Sequence, residues 1–125
     1  MRLLLAIAVL EDLDIQSVDV KTAYLYGNLD KEIYMEQPEG FKLPRKEKKV
    51  WWLHKALYGL KQAGLSWWYI MTKSMLALEF KRCKSDTGVY YYHNKKTKVL
   101  VIAIVYINDV YFMSTKGSLL LNELK

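Results

Sequence analysis

The chain has one cysteine, Cys83, among its 125 residues, so no disulfide can close within it. Only two histidines, His54 and His93, stand beside that thiol, which leaves too few ligands for a Cys/His metal centre. A reducing intracellular setting, cytoplasmic or nuclear, is the expectation. Long hydrophobic runs are also missing. The apolar stretch Leu3 to Leu10 is too short to span a bilayer, follows a single basic residue, lacks a small-residue cleavage site and runs straight into Glu11, Asp12 and Asp14. Neither a signal peptide nor a membrane partner is expected. No internal repeat and no low-complexity tract breaks the chain.

What is present is apolar and aromatic. Hydrophobic residues make up 52% of the chain and aromatics 14%, with 10 tyrosines. That composition excludes disorder and suits one compact domain. The net charge is +6 and the pI about 9.3, a balance that permits contact with nucleic acid or an anionic surface without proving either.

Hydrophobic periodicity predicts the elements. Residues 2–12, rich in Leu, Ala and Ile, read as a helix. Residues 15–21 alternate as a strand, Gly27-Asn28 is a turn signal, and Glu32 to Glu36 reads as a short strand. Residues 37–49 hold both prolines and the run Arg45, Lys46, Lys48, Lys49. This is a surface loop whose ordinary reading is a solvated face and whose sharper reading is phosphate contact. Trp51-Trp52-Leu53 leads into Leu57-Tyr58-Gly59, and residues 62–79 read as the longest helix, with Trp67, Ile70, Met71, Ser74, Met75 and Leu78 near helical spacing. Phe80 to Lys84 is a connection. Two β-rich runs follow, residues 89–93 and 99–107, joined by a hairpin loop at Asn94 to Thr97. The second run is almost wholly apolar, as in a strand buried on both faces. Asn108-Asp109 then reads as a two-residue hairpin turn before Val110 to Met113, and Ser118 is a candidate cap for a last helix.

Two acids stand apart from those in loops. Asp19 lies within the apolar segment Val18-Asp19-Val20, and Asp109 lies at a hairpin tip. A carboxylate is costly to bury alone, so Asp19 is a strand-end residue, a partner of a cation such as Lys21, or a metal ligand. For Asn108-Asp109 the plain reading is turn chemistry.

The surrounding motifs favour the metal reading. Val18 to Gly27 (VDVKTAYLYG) resembles the first catalytic motif of copia-type retrotransposon reverse transcriptases. Glu32 to Phe41 (EIYMEQPEGF) is similar to the stretch that follows it, Leu57 to Gly64 (LYGLKQAG) to the second motif, and Tyr106-Ile107-Asn108-Asp109 stands where the family has Tyr-x-Asp-Asp. The four occur in the family's order and spacing across nearly the whole chain.

The resemblance implies an α+β fold: a reverse-transcriptase-like palm fragment over residues 1–125, in which an antiparallel sheet with a catalytic hairpin packs on helices. It implies RNA-directed DNA polymerisation with two Mg2+ ions, on an RNA or DNA template-primer with deoxynucleotides, beside the remainder of a retrotransposon polyprotein. Hard cations of this kind take carboxylate, water and phosphate oxygens. By resemblance Asp19, the Val20 carbonyl and Asp109 are metal contacts. The backbone of Thr22 and Ala23 faces the nucleotide phosphates. Tyr24 lies under the sugar as a steric gate, its plain reading being an aromatic core residue, and Tyr58 and Gly59 approach the nucleotide.

Three departures from the family pattern bear on activity. Asn108 replaces an aspartate at the catalytic turn. Gly64 stands where proline is usual, with Leu65 where a basic residue is common. The fingers segment before residue 1 and the thumb beyond Lys125 are expected to be missing. An impaired or inactive copy is the expected outcome. The competing classes are a non-catalytic nucleic-acid-binding remnant and a translated relic with no selected function.

Overall fold

The computed structural model describes residues 1–115. The predicted helix capped by Ser118 lies outside them. The chain divides into two compact units, residues 1–21 with 71–125, and residues 22–70.

The first unit is built on a five-stranded antiparallel sheet. Its strands are β1 (Asp14–Asp19), β4 (Lys81–Arg82), β5 (Val89–Asn94), β6 (Val99–Tyr106) and β7 (Asp109–Ser114), in the order β1-β7-β6-β5-β4. Register alternation sorts the side chains into two faces. Val89, Ile102, Ile104 and Met113 line one face and form a core with Ala8 and Leu13, against which Leu4, Leu5, Leu100 and Tyr111 also pack. The helix α1 (Arg2–Leu10) therefore covers that face. On the opposite face Tyr90 stands between Lys81–Arg82 and β6, and its hydroxyl bonds Thr72 Oγ1 at 2.8 Å. Phe80 lies buried between the rings of Tyr92 and Phe112, at 6.0 and 6.4 Å. Residues 101–104 of β6 are buried on both faces, as their unbroken apolar run predicts.

α1 ends where its sequence permits a left-handed residue. Asp12 adopts φ 49°, with Leu13 N–H bonded to Ala8 O at 2.8 Å and Asp12 N–H to Val9 O at 3.4 Å. This is the two-bond C-terminal cap in which a left-handed residue turns the chain away and satisfies the last carbonyls. Asp is one of the few non-glycine residues that tolerates the conformation. The cap also delivers Leu13 into the core beside Ala8.

The second unit holds a 3-10 turn (Ala23–Tyr26) and an antiparallel ribbon of β2 (Asn28–Glu36) and β3 (Val50–Lys55). Its last residues begin α2 (Ala63–Ala77), whose later turns belong to the first unit. β3 is a full strand where the sequence pattern suggests only a lead-in, and β2 begins four residues before the predicted start at Glu32. The pairing shifts register between Asn28 and Ile33, and this irregularity hides the strand's first half from a period-2 reading. Gly27 is demanded by packing: a Cβ there would meet Ser66 Cβ at 2.9 Å and Ala56 Cβ at 3.3 Å. Along α2 the buried residues Ala63, Trp67, Met71 and Met75 recur at every fourth position, while Ser74 and Leu78 of the expected stripe are exposed. β4, paired to β5 through Lys81↔Tyr91 and Arg82↔Tyr90, occupies the predicted connection.

Candidate active site at the β1 terminus and the β6–β7 hairpin

The first unit brings the two singled-out acids together. Asp19 is the last residue of β1 and sits directly opposite Asp109, the first residue of β7. β7 is bonded on both sides, with Asp109 also opposite Tyr106 of β6. Both carboxylates are exposed, so the strand-end reading of Asp19 holds and no burial cost arises. Like charges on directly opposed residues disfavour the pairing, so something must offset them.

The turn offsets part of this. The loop residues are Ile107 and Asn108, one position earlier than the Asn108-Asp109 turn expected from the sequence. Propensity alone favours the Asn-Asp pair as the loop. The ladders to β1 and β6 fix β7 from both edges, however, and draw Asp109 into the strand, leaving Ile107 at φ 56°. A β-branched residue seldom adopts that conformation, and it persists only where surrounding structure imposes it. Val20 N–H donates to Asn108 O at 2.8 Å, tying the turn to the chain just beyond β1. The Asn108 side-chain amide donates to Asp19 Oδ1. Asp19, Val20, Asn108 and Asp109 thus converge.

The donor set differs from the one implied for two hard cations. It offers two carboxylates and an amide whose N–H2 is turned toward one of them. Among the described residues no cluster of three or more His, Cys, Asp or Glu side chains is placed to hold a metal. As folded, these residues do not fit a two-ion centre.

The nucleotide-contact candidates Thr22, Ala23, Tyr24, Tyr58 and Gly59 all lie in the second unit. Thr22 takes a left-handed conformation, φ 54°, and its carbonyl accepts from Leu25 N–H at 2.8 Å. Ala23 is fully buried. The rings of Tyr24 and Tyr58 pack at 4.4 Å and 53°, with Tyr24 half-buried and Tyr58 exposed. Gly59 has φ 94° and open space where a Cβ would stand, so its backbone conformation is what calls for glycine. Gly64 lies in the first turn of α2, also with open space beside it.

Two features have no clear signature in the sequence. The strain at Ile107 has no local signal, because isoleucine is an ordinary strand residue. Gln37 is almost fully buried and bonds three backbone groups of the following loop. A lone glutamine before a proline does not announce that role.

No helix among the described residues is long and apolar enough to cross a membrane. The family model for reverse transcriptase (RNA-dependent DNA polymerase) matches residues 1–125. The chain is 38% identical over 109 residues to the retrovirus-related Pol polyprotein from transposon TNT 1-94 of Nicotiana tabacum, covering 87% of this chain and 8% of that polyprotein. It is 35% identical over 123 residues to the Pol polyprotein from transposon RE1 of Arabidopsis thaliana, covering 98% of this chain and 8% of the relative. It is also 33% identical over 93 residues to a putative transposon Ty5-1 protein of Saccharomyces cerevisiae, covering 74% of this chain and 30% of the relative. No solved structure matches. The chain therefore spans a small part of these polyproteins, and its mixed fold of helices and antiparallel sheet belongs to the reverse transcriptase domain of the copia-type retrotransposon family.

Proposed function

We propose that this segment forms part of the palm of an RNA-directed DNA polymerase and that its catalytic turn is impaired. Asp19 and Asp109 are the acid positions in this reading. Tyr24, Tyr58, Gly59 and the backbone of Thr22 and Ala23 are the nucleotide contacts, and a template-primer is the partner. The observation that carries the reading is the register Asp19↔Asp109 with the Asn108 amide on Asp19. Acids far apart in the chain meet at a strained hairpin, which is the placement that carboxylate chemistry at a strand end requires.

The impairment follows from charge. A unit pair at about 4 Å is worth about 4 kcal/mol at an effective dielectric near 20, and a divalent ion roughly doubles it before screening. Each ~1.4 kcal/mol lost from the transition state is about tenfold in rate. An amide that contributes no charge, and that already spends its N–H on Asp19, leaves the centre short of the field that polymerisation needs.

The test is primer extension by the purified chain with Mg2+ or Mn2+. No template-dependent incorporation is expected. Incorporation that disappears in Asp19→Ala would refute the impairment. A companion experiment places residues 1–125 in an active copia-type polymerase. The chimera is expected to be strongly impaired and to recover with Asn108→Asp, and a chimera that stays dead with that change would count against the palm assignment.

A further inference from the structure

The loop from Pro38 to Lys49 is folded by a device that the polymerase reading does not use. Gln37, 5% exposed, donates from Nε2 to Lys46 O and to Lys49 O, each at 2.7 Å, and accepts at Oε1 from Leu43 N–H at 2.9 Å. One side chain thus fixes both ends and the middle of the basic segment. Around it the backbone closes three tight turns: Phe41 N–H to Pro38 O at 3.0 Å, Lys46 N–H to Leu43 O at 2.9 Å, and Lys49 N–H to Lys46 O at 3.0 Å. Gly40 at φ 81° supplies the left-handed position of the first. In the second, Pro44 is followed by Arg45 at φ 66°, where glycine would be unstrained.

Five cations stand on this frame: Lys42, Arg45, Lys46, Lys48 and Lys49, all exposed. Their side chains engage no carboxylate among the described residues. The loop has two acids, Glu39 and Glu47, and Glu47, which lies among the cations, turns its Oε1 back to accept from Arg45 N–H at 2.8 Å. A merely solvated charge run has no need of a buried glutamine clamp or of an arginine at a glycine position. The strained turn at Arg45 persists because the surrounding bonds impose it, so the cations are held in one arrangement.

We infer that residues 38–49 form a preformed contact for the sugar-phosphate backbone of nucleic acid. Gln37 is its positioning residue, and Arg45, Lys46, Lys48 and Lys49 are the phosphate partners. Fixing the backbone beforehand reduces the ordering cost of binding, while counterion release by the cations supplies affinity without sequence preference. The inference rests on the nucleic-acid reading above but requires no catalysis.

Binding of a fluorescein-labelled primer–template duplex to the purified chain, titrated across salt concentrations, tests it. The intact chain is expected to bind at low salt. Lys46→Ala/Lys48→Ala/Lys49→Ala should lower the salt slope by about two to three, about one for each phosphate no longer neutralised. Gln37→Ala keeps every charge and should weaken binding roughly three- to tenfold because the loop is no longer preorganised, with the slope nearly unchanged. Arg45→Gly relieves the strained turn, so it guards against misfolding. It should melt no lower than the parent yet bind more weakly, with a slope lower by about one. Duplex binding that the triple-lysine and Arg45 variants leave intact would overturn the loop assignment and spare the polymerase reading. No binding at low salt would overturn both. Stronger binding to phosphatidylserine vesicles than to duplex would assign the loop to a membrane surface instead.

Discussion

Asn108 shows how one side chain can reverse the electrostatics of a turn. With asparagine, the amide bridges to Asp19 and partly offsets the opposition of Asp19 and Asp109. With aspartate, a donor becomes a third negative charge. Asn108→Asp is therefore expected to lower stability in metal-free buffer by about 1 kcal/mol, the scale of a lost hydrogen bond to a partly exposed charged group. Mg2+ should restore part of that loss, because an ion that binds only the folded state stabilises it by mass action. Thermal melts with and without Mg2+ separate the cases: the parent should shift little and the variant upward. A parent that gains as much from Mg2+ as the variant would show that the amide does not stand in the cation's place. The strand-end position of Asp19 was one of three readings the sequence left open, because a carboxylate is costly to bury unpaired but can equally be offset by a cation or a metal. The strand ends at Asp19, two residues before the predicted end at Lys21. The identity of the turn residues was not legible in sequence, since two ladders from distant segments set them against local propensity.

At the scale of single elements, caps and packing give sharper tests. Asp12 holds the left-handed cap of α1. Asp12→Gly should raise stability by about 0.5–1 kcal/mol if relief of the left-handed strain exceeds the entropy glycine adds to the unfolded chain. A chemical-denaturation midpoint that falls would show that the aspartate side chain contributes more than the strain costs. Gly27→Ala is expected to act the other way, costing about 1–3 kcal/mol, because its Cβ would meet Ser66 Cβ at 2.9 Å and the Tyr24 carbonyl oxygen at 3.2 Å. Elements differ in how plainly their sequences announce them. The uniform apolar run of β6 was readable because residues 101–104 are buried on both faces, α1 because its residues are strong helix formers, and α2 because Trp67, Met71 and Met75 are buried at every fourth position. β3 was not, because neither face of Val50–Lys55 is deeply buried and its partner strand carries a register shift.

The whole molecule divides into two units of unequal construction, and this is measurable. In the first, β6 has a strand on each side and side chains packed against both faces. In the second, β2 and β3 form a two-stranded ribbon, and an isolated ribbon of that size is marginal in water without further packing. Opening free energies follow the depth of burial and the number of neighbouring strands. Native-state hydrogen exchange should therefore find its slowest amides at Val101–Ile104 and the facing residues of β7. The amides of Ile33, Met35 and Leu53 should exchange through a lower-energy opening that leaves the sheet intact. Ile104→Ala, which removes a buried side chain at the sheet centre, should cost about 2–4 kcal/mol. It should speed exchange at Val101–Ile104 by the corresponding factor. The ribbon amides should change little, because their opening does not pass through loss of the sheet. A single common exchange free energy for both sets, moving together in Ile104→Ala, would mean that the two units unfold as one.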